Sequence, residues 1–242
     1  MSSINSELIR KLRDIDTLVI DIDGTITNEI GLISTEAIEL IRQIEKNGVM
    51  VSLASGNAYP VVKALAHYIG ASGPIIAESG CVLGILDEIY VFGNRERILE
   101  AFRKIKDIYK DRVRESWSNI YRHVDIAIRP TIPKDEMIRL VSNFKDVTIL
   151  DSKFAYHIHP RDIDKGYALE KMCELMNLSP EYIAAIGDSE LDYPMLLKAG
   201  FKVALRNAPD SLKRIADYVT KESYYKGFIE FARLLINAKK GL

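Results

Sequence analysis

Along the chain, apolar residues occur either as short unbroken runs or as repeats at helical spacing, and over most of its length the two kinds alternate. Residues 17–22 (TLVIDI) are nearly continuously apolar, as in a parallel strand covered on both faces. Residues 34–47 repeat apolar positions at Ala37, Ile38, Leu40, Ile41 and Ile44, which predicts a helix capped by Ser34, with Gly48 just past its end. A second buried strand is predicted at 49–54, a helix at 60–69 with Pro60 in its first turn, and a short strand at 75–77. This βαβαβ succession belongs to a doubly wound sheet.

The rhythm then changes. Residues 81–92 predict a hairpin, and 94–109 an amphipathic, charge-rich helix. Residues 123–129 alternate, with Val124, Ile126 and Ile128 on one face, which predicts a strand with its other face in solvent. A helix at 133–144 and strands at 147–150 and 155–159 follow. From Lys165 the first rhythm resumes: helix 165–176, strand 182–186, helix 190–199, strand 202–204, a last strand near Tyr218 and a helix at 224–238. The expected fold is α/β, a doubly wound, mainly parallel, Rossmann-like core interrupted by an α+β insert. The expected boundaries are 1–83 and 158–242 for the core and 84–157 for the insert.

Ligands of such sheets collect beyond the carboxyl ends of the strands, and the polar signals of this chain sit there. Asp21 and Asp23 close the first strand. Residues i and i+2 of an extended segment share a side, and like charges about 4 Å apart cost about 4 kcal/mol at an effective dielectric near 20. Such a pair needs a cation, or a proton on one member. Asp188 and Asp192 span a strand-to-helix junction, with Asp188 a candidate cap. Together with Asp21 and Asp23 they form an oxygen-rich set that suits Mg²⁺. Lys165 opens a helix whose dipole disfavours a cation. It fits an ammonium aimed at an anion, with Gly166 allowing close backbone approach. Ser55, Gly56 and Asn57 offer a hydroxyl, an open backbone and an amide before a helix, a cradle for a phosphate oxygen. Taken singly, each segment also has a plain account: an Asp-Gly turn, a charged helix start, a solvated lysine, a cap-and-turn.

Composition narrows the partners. With 33 basic and 34 acidic residues the net charge is −1, so bulk electrostatics attracts neither nucleic acid nor an anionic membrane. The opening MSSINSELIRKLRDID has no apolar core of signal-peptide length, and no stretch approaches the ~20 apolar residues of a membrane span. A cytoplasmic protein is expected. Cys81 and Cys173 lack zinc-site spacing and read as buried thiols. His157 and His159 share one strand face without a third ligand, which favours a structural or interdomain role. Packing is the default for Trp117 and Tyr121. Oligomeric state has no signature in the sequence.

Taken in order, DIDGT, ASGN, DKG and GDSELD resemble motifs one to four of the haloacid dehalogenase superfamily. The gap between Ser55 and Lys165 places the insert where the Cof-like (type IIB) branch carries its cap. The stretch SGNAYPVVKALAHYIGASGPIIAESGCVL resembles the archaeal type of phosphoglycolate phosphatase. The resemblance implies Mg²⁺-dependent hydrolysis of a small phosphate monoester, 2-phosphoglycolate, through an aspartyl-phosphate. It implies Asp21 as nucleophile and metal ligand, and Asp23 as general acid/base reaching the metal through its main-chain carbonyl. It implies Lys165 and Ser55 on the phosphoryl group, and Asp188 and Asp192 at the metal. Leu191 and Arg206 depart from the usual pattern. Arg206 would bring positive charge to the mouth beside Asn207, a candidate phosphate contact. Arg129 and Arg161 are candidate partners for a substrate carboxylate. A sugar-phosphate phosphatase or phosphomutase of the same superfamily, or a non-enzymatic phosphoryl receiver, are the alternatives.

Overall fold

In the computed structural model, which describes residues 6–241, the apolar runs become the strands of one large sheet and the helical repeats cover its faces. The ends of the expected core at 1–5 and 242 lie outside the described residues. The first half contains α1 (Ser6–Asp14), β1 (Thr17–Asp21), α2 (Thr35–Lys46), β2 (Met50–Ala54), α3 (Tyr59–Ile69), β3 (Ile75–Ala77), β4 (Val82–Ile85) and β5 (Glu88–Val91). Then come α4 (Arg95–Tyr109), β6 (Ile126–Ile128), α5 (Lys134–Val141), β7 (Val147–Asp151) and β8 (Tyr156–Pro160). The chain closes with α6 (Lys165–Met176), β9 (Ile183–Gly187), α7 (Tyr193–Lys198), β10 (Phe201–Ala204), α8 (Asp210–Ile215), β11 (Tyr218–Val219) and α9 (Tyr224–Lys240).

The large sheet runs β11-β10-β9-β1-β2-β3-β4-β5, parallel through β3 and antiparallel beyond it. All five residues of β1 and of β9 are buried. Alternate side chains explain why their runs are apolar throughout. Leu18 and Ile20 join the core on the side of α1, α2, α3 and α9, while Val19 faces α6, α7 and α8. The helix ends follow from their local chemistry. Ser34 Oγ accepts from Ala37 N at the start of α2, Asp164 caps α6 through Tyr167 N, and Gly70 ends α3 in the left-handed region at φ 86°.

The second sheet is small, ordered β6-β8-β7 and antiparallel, with α4 and α5 on one side. The expected boundaries at 84 and 157 therefore fall inside elements. The hairpin β4–β5 extends the large sheet, Ile75 pairing with Gly84 and Ala77 with Val82. Strand β8 belongs to the small sheet. The chain crosses between sheets at 92–94 and returns at 161–164. Turn residues announce a hairpin but not the sheet edge it joins. The expected solvated face of β6 is also absent, since Asp125 and Ala127 are as buried as Ile126 and Ile128. That face looks back at the large sheet, and its polar residue is paired internally. A further difference is α1, an amphipathic helix that packs on α9 through Leu12. Arg13 Nε donates to Ala238 O, and Lys239 Nζ donates to Arg13 O.

Candidate active site

Strands β9, β1 and β2 are neighbours and parallel, so the loops after their carboxyl ends meet. The register sets Asp21 beside Ala54, one residue before Ser55. Gly24 follows at φ 93°, and a Cβ there would lie 2.5 Å from Asp188 Oδ2. Only glycine lets the β1 and β9 loops touch in this way.

Lys165 stands at the centre. Its Nζ lies 2.6 Å from Asp21 Oδ1 and 2.6 Å from Asp192 Oδ1, with the side chain almost wholly buried. Burial works against the ammonium, but Asp192 and Asp21 outweigh it and hold its pKa above the usual lysine range. Its backbone is fixed from behind by Gly80 at φ 108°, where a Cβ would lie 2.0 Å from Asp164 O. The expected role of Gly166 is different in fact: it is buried, and a Cβ there would meet Pro194 O at 2.5 Å. It permits α6 to pack on the start of α7 and does not face a ligand.

Asp21, Asp188 and Asp192 each offer a carboxylate oxygen, and these oxygens lie within 4.8 Å of one another. Burial, then the charge of Asp192, pushes Asp21 well above the ordinary carboxylate range, with Lys165 pulling the other way. Burial and Asp192 push Asp188 up to about 6. Asp188 Oδ2 accepts from Asn207 Nδ2 at 2.9 Å, while Oδ1 is buried and has no hydrogen-bond partner among the described residues. Asp192 Oδ2 accepts from Asp188 N, Ser189 N and Ser189 Oγ, leaving Oδ1 for Lys165. The residue that caps this turn is Ser189, not Asp188, because Ser189 and Asp192 close a capping box. Three carboxylates facing one lysine, one of them with an orphaned oxygen, fit a hard divalent cation such as Mg²⁺.

Asp23 is held apart from that cluster. Its Oδ2 accepts from Asn57 Nδ2 at 2.9 Å, and burial raises its pKa against the pull of Lys165, Asn57 and Ser55. Ser55 Oγ accepts from both Asn57 N and Asn57 Nδ2 at 3.0 Å, and its hydroxyl is a hydrogen-bond partner of Asp23. Gly56 lies on the cavity wall beside them.

Asp21, Asp23, Gly24, Asn57, Lys165 and Asp188 line a cavity of about 370 Å³ between the two sheets. Its roof comes from the segment 95–160: Ser118, Arg122, Ala127, Lys153 and His157 among others. Arg122 Nη1 donates to Gly56 O at 3.1 Å and to Asp125 Oδ1 at 2.7 Å. His157 Nδ1 meets Asp125 Oδ2 at 2.7 Å within the roof, whereas His159 Nε2 meets Glu78 O at 3.0 Å and so links the small sheet to the large one. The buried Glu78 carboxylate accepts from the backbone N–H of His123, Val124 and Asp125. Trp117 and Tyr121 are exposed rather than packed, and Trp117 stands at the cavity mouth.

Arg129 and Arg161 do not line the cavity. Arg161 is spent on Lys145 O and Val147 O, and Arg129 lies outside at the end of β6. Arg206 donates to Lys221 O and is absent from the lining, so it brings no charge to the mouth, whereas Leu191 does line it. Asn207 bonds Asp188 and accepts from Tyr224 N. Thr25, the last residue of DIDGT, donates its hydroxyl to Asp21 Oδ2 at 3.1 Å and was given no role from sequence, and Arg122 carried no local sequence signal.

A profile of haloacid dehalogenase-like hydrolases matches residues 18–112 and 87–231, together most of the chain and all of the segments just described. The chain belongs to this family. Over 227 residues it is 36% identical to phosphoglycolate phosphatase 1 of Saccharolobus solfataricus, covering 93% of this chain and 97% of that one. It is 39% identical over 219 residues to a phosphoglycolate phosphatase of Methanoculleus marisnigri, covering 88% and 94%. A crystal structure from Thermoplasma acidophilum superposes with a TM-score of 0.84 at 31% identity, covering 91% of this chain and 98% of that one. The chain is a phosphatase of the haloacid dehalogenase-like family. Among the described residues, no helix is long and apolar enough to cross a membrane.

Proposed function

We propose that the protein hydrolyses 2-phosphoglycolate to glycolate and phosphate through an aspartyl-phosphate on Asp21, with Mg²⁺ as cofactor. The observation that carries the mechanism is Lys165 Nζ at 2.6 Å from both Asp21 and Asp192, beside a cavity lined by Asp21, Asp23, Asn57 and Lys165. The substrate is supported by the names of relatives 36–39% identical over nearly their whole length.

A phosphate monoester is doubly negative and repels an anionic attacker. Lys165 offers compensating positive charge to its oxygens, and the Ser55 hydroxyl offers a donor once it turns from Asp23. Asp21, Asp188 and Asp192 would hold the Mg²⁺, which when bound neutralises phosphoryl charge and aligns the group. Thr25 and Lys165 fix the Asp21 carboxylate from two sides, so that it meets phosphorus in line. Its oxygen bonds phosphorus as the ester P–O bond breaks, and Asp23 gives its proton to the departing alkoxide. Asp23 then takes a proton from water as that water attacks phosphorus, which releases phosphate and restores the Asp21 carboxylate. The raised pKa of Asp23 suits the first step, and its bond to Asn57 suits the second. We assign residues 95–160 as the cap, which excludes water from this chemistry.

A panel of phosphate monoesters, assayed with and without Mg²⁺, tests the reading. 2-Phosphoglycolate should have the highest kcat/KM, and turnover should vanish in chelator. Preference for a sugar phosphate would overturn the substrate, and undiminished turnover in chelator would overturn the cofactor.

Cation binding should also be linked to protons. Metal-free Asp188, with its pKa raised to about 6, holds a proton increasingly as pH falls through that value. A divalent cation must displace it, so affinity should weaken below pH ~6. Calorimetry in buffers of different ionisation enthalpy should find proton release on Mg²⁺ binding at pH 6.

A further inference from the structure

The roof of the cavity contains a guanidinium only partly used by the protein. Arg122 follows the Trp117–Tyr121 turn and is 8% exposed. Its Nε donates to Ser118 Oγ at 3.2 Å, and Nη1 donates to Asp125 Oδ1 at 2.7 Å and Gly56 O at 3.1 Å. Those bonds use the Nε hydrogen and both hydrogens of Nη1. Among the described residues Nη2 makes no hydrogen bond, and the side chain lines the cavity.

Its anchor matters as much as its free edge. Gly56 lies between Ser55 and Asn57, so the guanidinium rests against the loop that would grip the phosphoryl group. Asp125 cannot turn to cover Nη2, because its second oxygen is held by His157 Nδ1 at 2.7 Å. Although burial opposes it, the bond with His157 and the charges of His157 and Arg122 keep Asp125 ionised. The guanidinium plane is thus fixed by three acceptors before any ligand arrives, which lowers the ordering cost of using the remaining donors. The other cation of the roof, Lys153, is mostly exposed and its Nζ is 3.9 Å from Asp188 Oδ2, so it is neither rigid nor aimed at the leaving group.

We infer that Arg122 determines specificity: its two Nη2 hydrogens bind the carboxylate of a short anionic leaving group whose phosphoryl lies at Ser55. The inference rests on the phosphoglycolate reading above and deepens it. It names which side chain separates a carboxylate-bearing monoester from a neutral one of the same length. A charge-assisted bond is about twice as strong as a neutral one, so the discrimination concerns charge and not size alone.

The test compares kcat/KM for 2-phosphoglycolate with that for 2-hydroxyethyl phosphate, which keeps the skeleton and replaces the carboxylate by an alcohol. The wild-type ratio should be well above one. It should fall about 10- to 100-fold in Arg122→Met, the worth of a hydrogen bond to a charged group, and recover in part in Arg122→Lys. Glycolate as a product inhibitor should weaken more than inorganic phosphate in Arg122→Met. If both substrates decline in parallel in both variants, with the ratio kept, Arg122 only fastens cap to core and the inference fails. Failure of the underlying reading is seen in the wild type alone, as a ratio near or below one.

Discussion

Asp21→Asn is expected to abolish turnover, by at least about 10⁴-fold in kcat, because an amide cannot form the phosphorylated intermediate. The same variant should be at least as resistant to unfolding as the wild type in metal-free buffer. Folding raises the pKa of Asp21 well above its unfolded value, through burial and through Asp192. A group with a raised folded pKa favours the folded state fully only when protonated. As pH climbs through that range, its ionisation costs stability. At neutral pH the amide removes this cost, since it keeps the shape without the charge. The active site is thus a place where stability has been given up for reactivity. Steady-state assays beside thermal unfolding in chelator check both halves. Residual activity within a hundredfold of wild type, or a clearly lower melting temperature, would contradict them.

The second large effect is at Lys165. Lys165→Met should lower kcat/KM by about 10³-fold or more, through loss of charge on the phosphoryl oxygens. It should also destabilise the metal-free fold by about 3–5 kcal/mol, the usual penalty for breaking a buried ion pair from one side. Two carboxylate oxygens at 2.6 Å lose the one close cation they have among the described residues, and Asp188 adds to the repulsion. Here Mg²⁺ has a distinctive effect. A divalent cation among Asp21, Asp188 and Asp192 replaces much of the missing charge, so the rise in melting temperature with added Mg²⁺ should be larger in the variant than in the wild type. An equal rise in both would place the cation elsewhere.

The fold was legible where burial alone decides composition. The runs at β1 and β9 are apolar throughout because helices cover both faces of those strands, and the motif residues follow them directly. The candidate site was legible for the same reason. Ligands gather at strand ends, and the ends of β1, β2 and β9, with the start of α6, carried polar residues that fit one chemistry. Partnership over long sequence distance was not legible. The hairpin β4–β5 carries turn signals that say nothing about which sheet it joins. Strand β6 has the alternation of a half-solvated strand, yet Asp125 is buried against Arg122 and His157. Arg122 is one of many arginines until the roof brings it against Gly56, 66 residues away. Gly166 has the sequence neighbourhood of a ligand loop, and only the packing of α6 on α7 reveals its use. Asp21, Asp188, Asp192 and Lys165, read for their chemistry, come together, whereas Arg129 and Arg161, read the same way, do not line the cavity.

Covalent trapping tests the division of labour between Asp21 and Asp23 most directly. Asp23→Asn with p-nitrophenyl phosphate separates the two steps, since that leaving group needs no proton but the later water does. The protein should release one burst equivalent of p-nitrophenol and, after acid quench, carry a hydroxylamine-labile phosphate on Asp21. A burst with phosphate on another residue, or steady hydrolysis at the wild-type rate without any phosphorylated carboxylate, would contradict the mechanism.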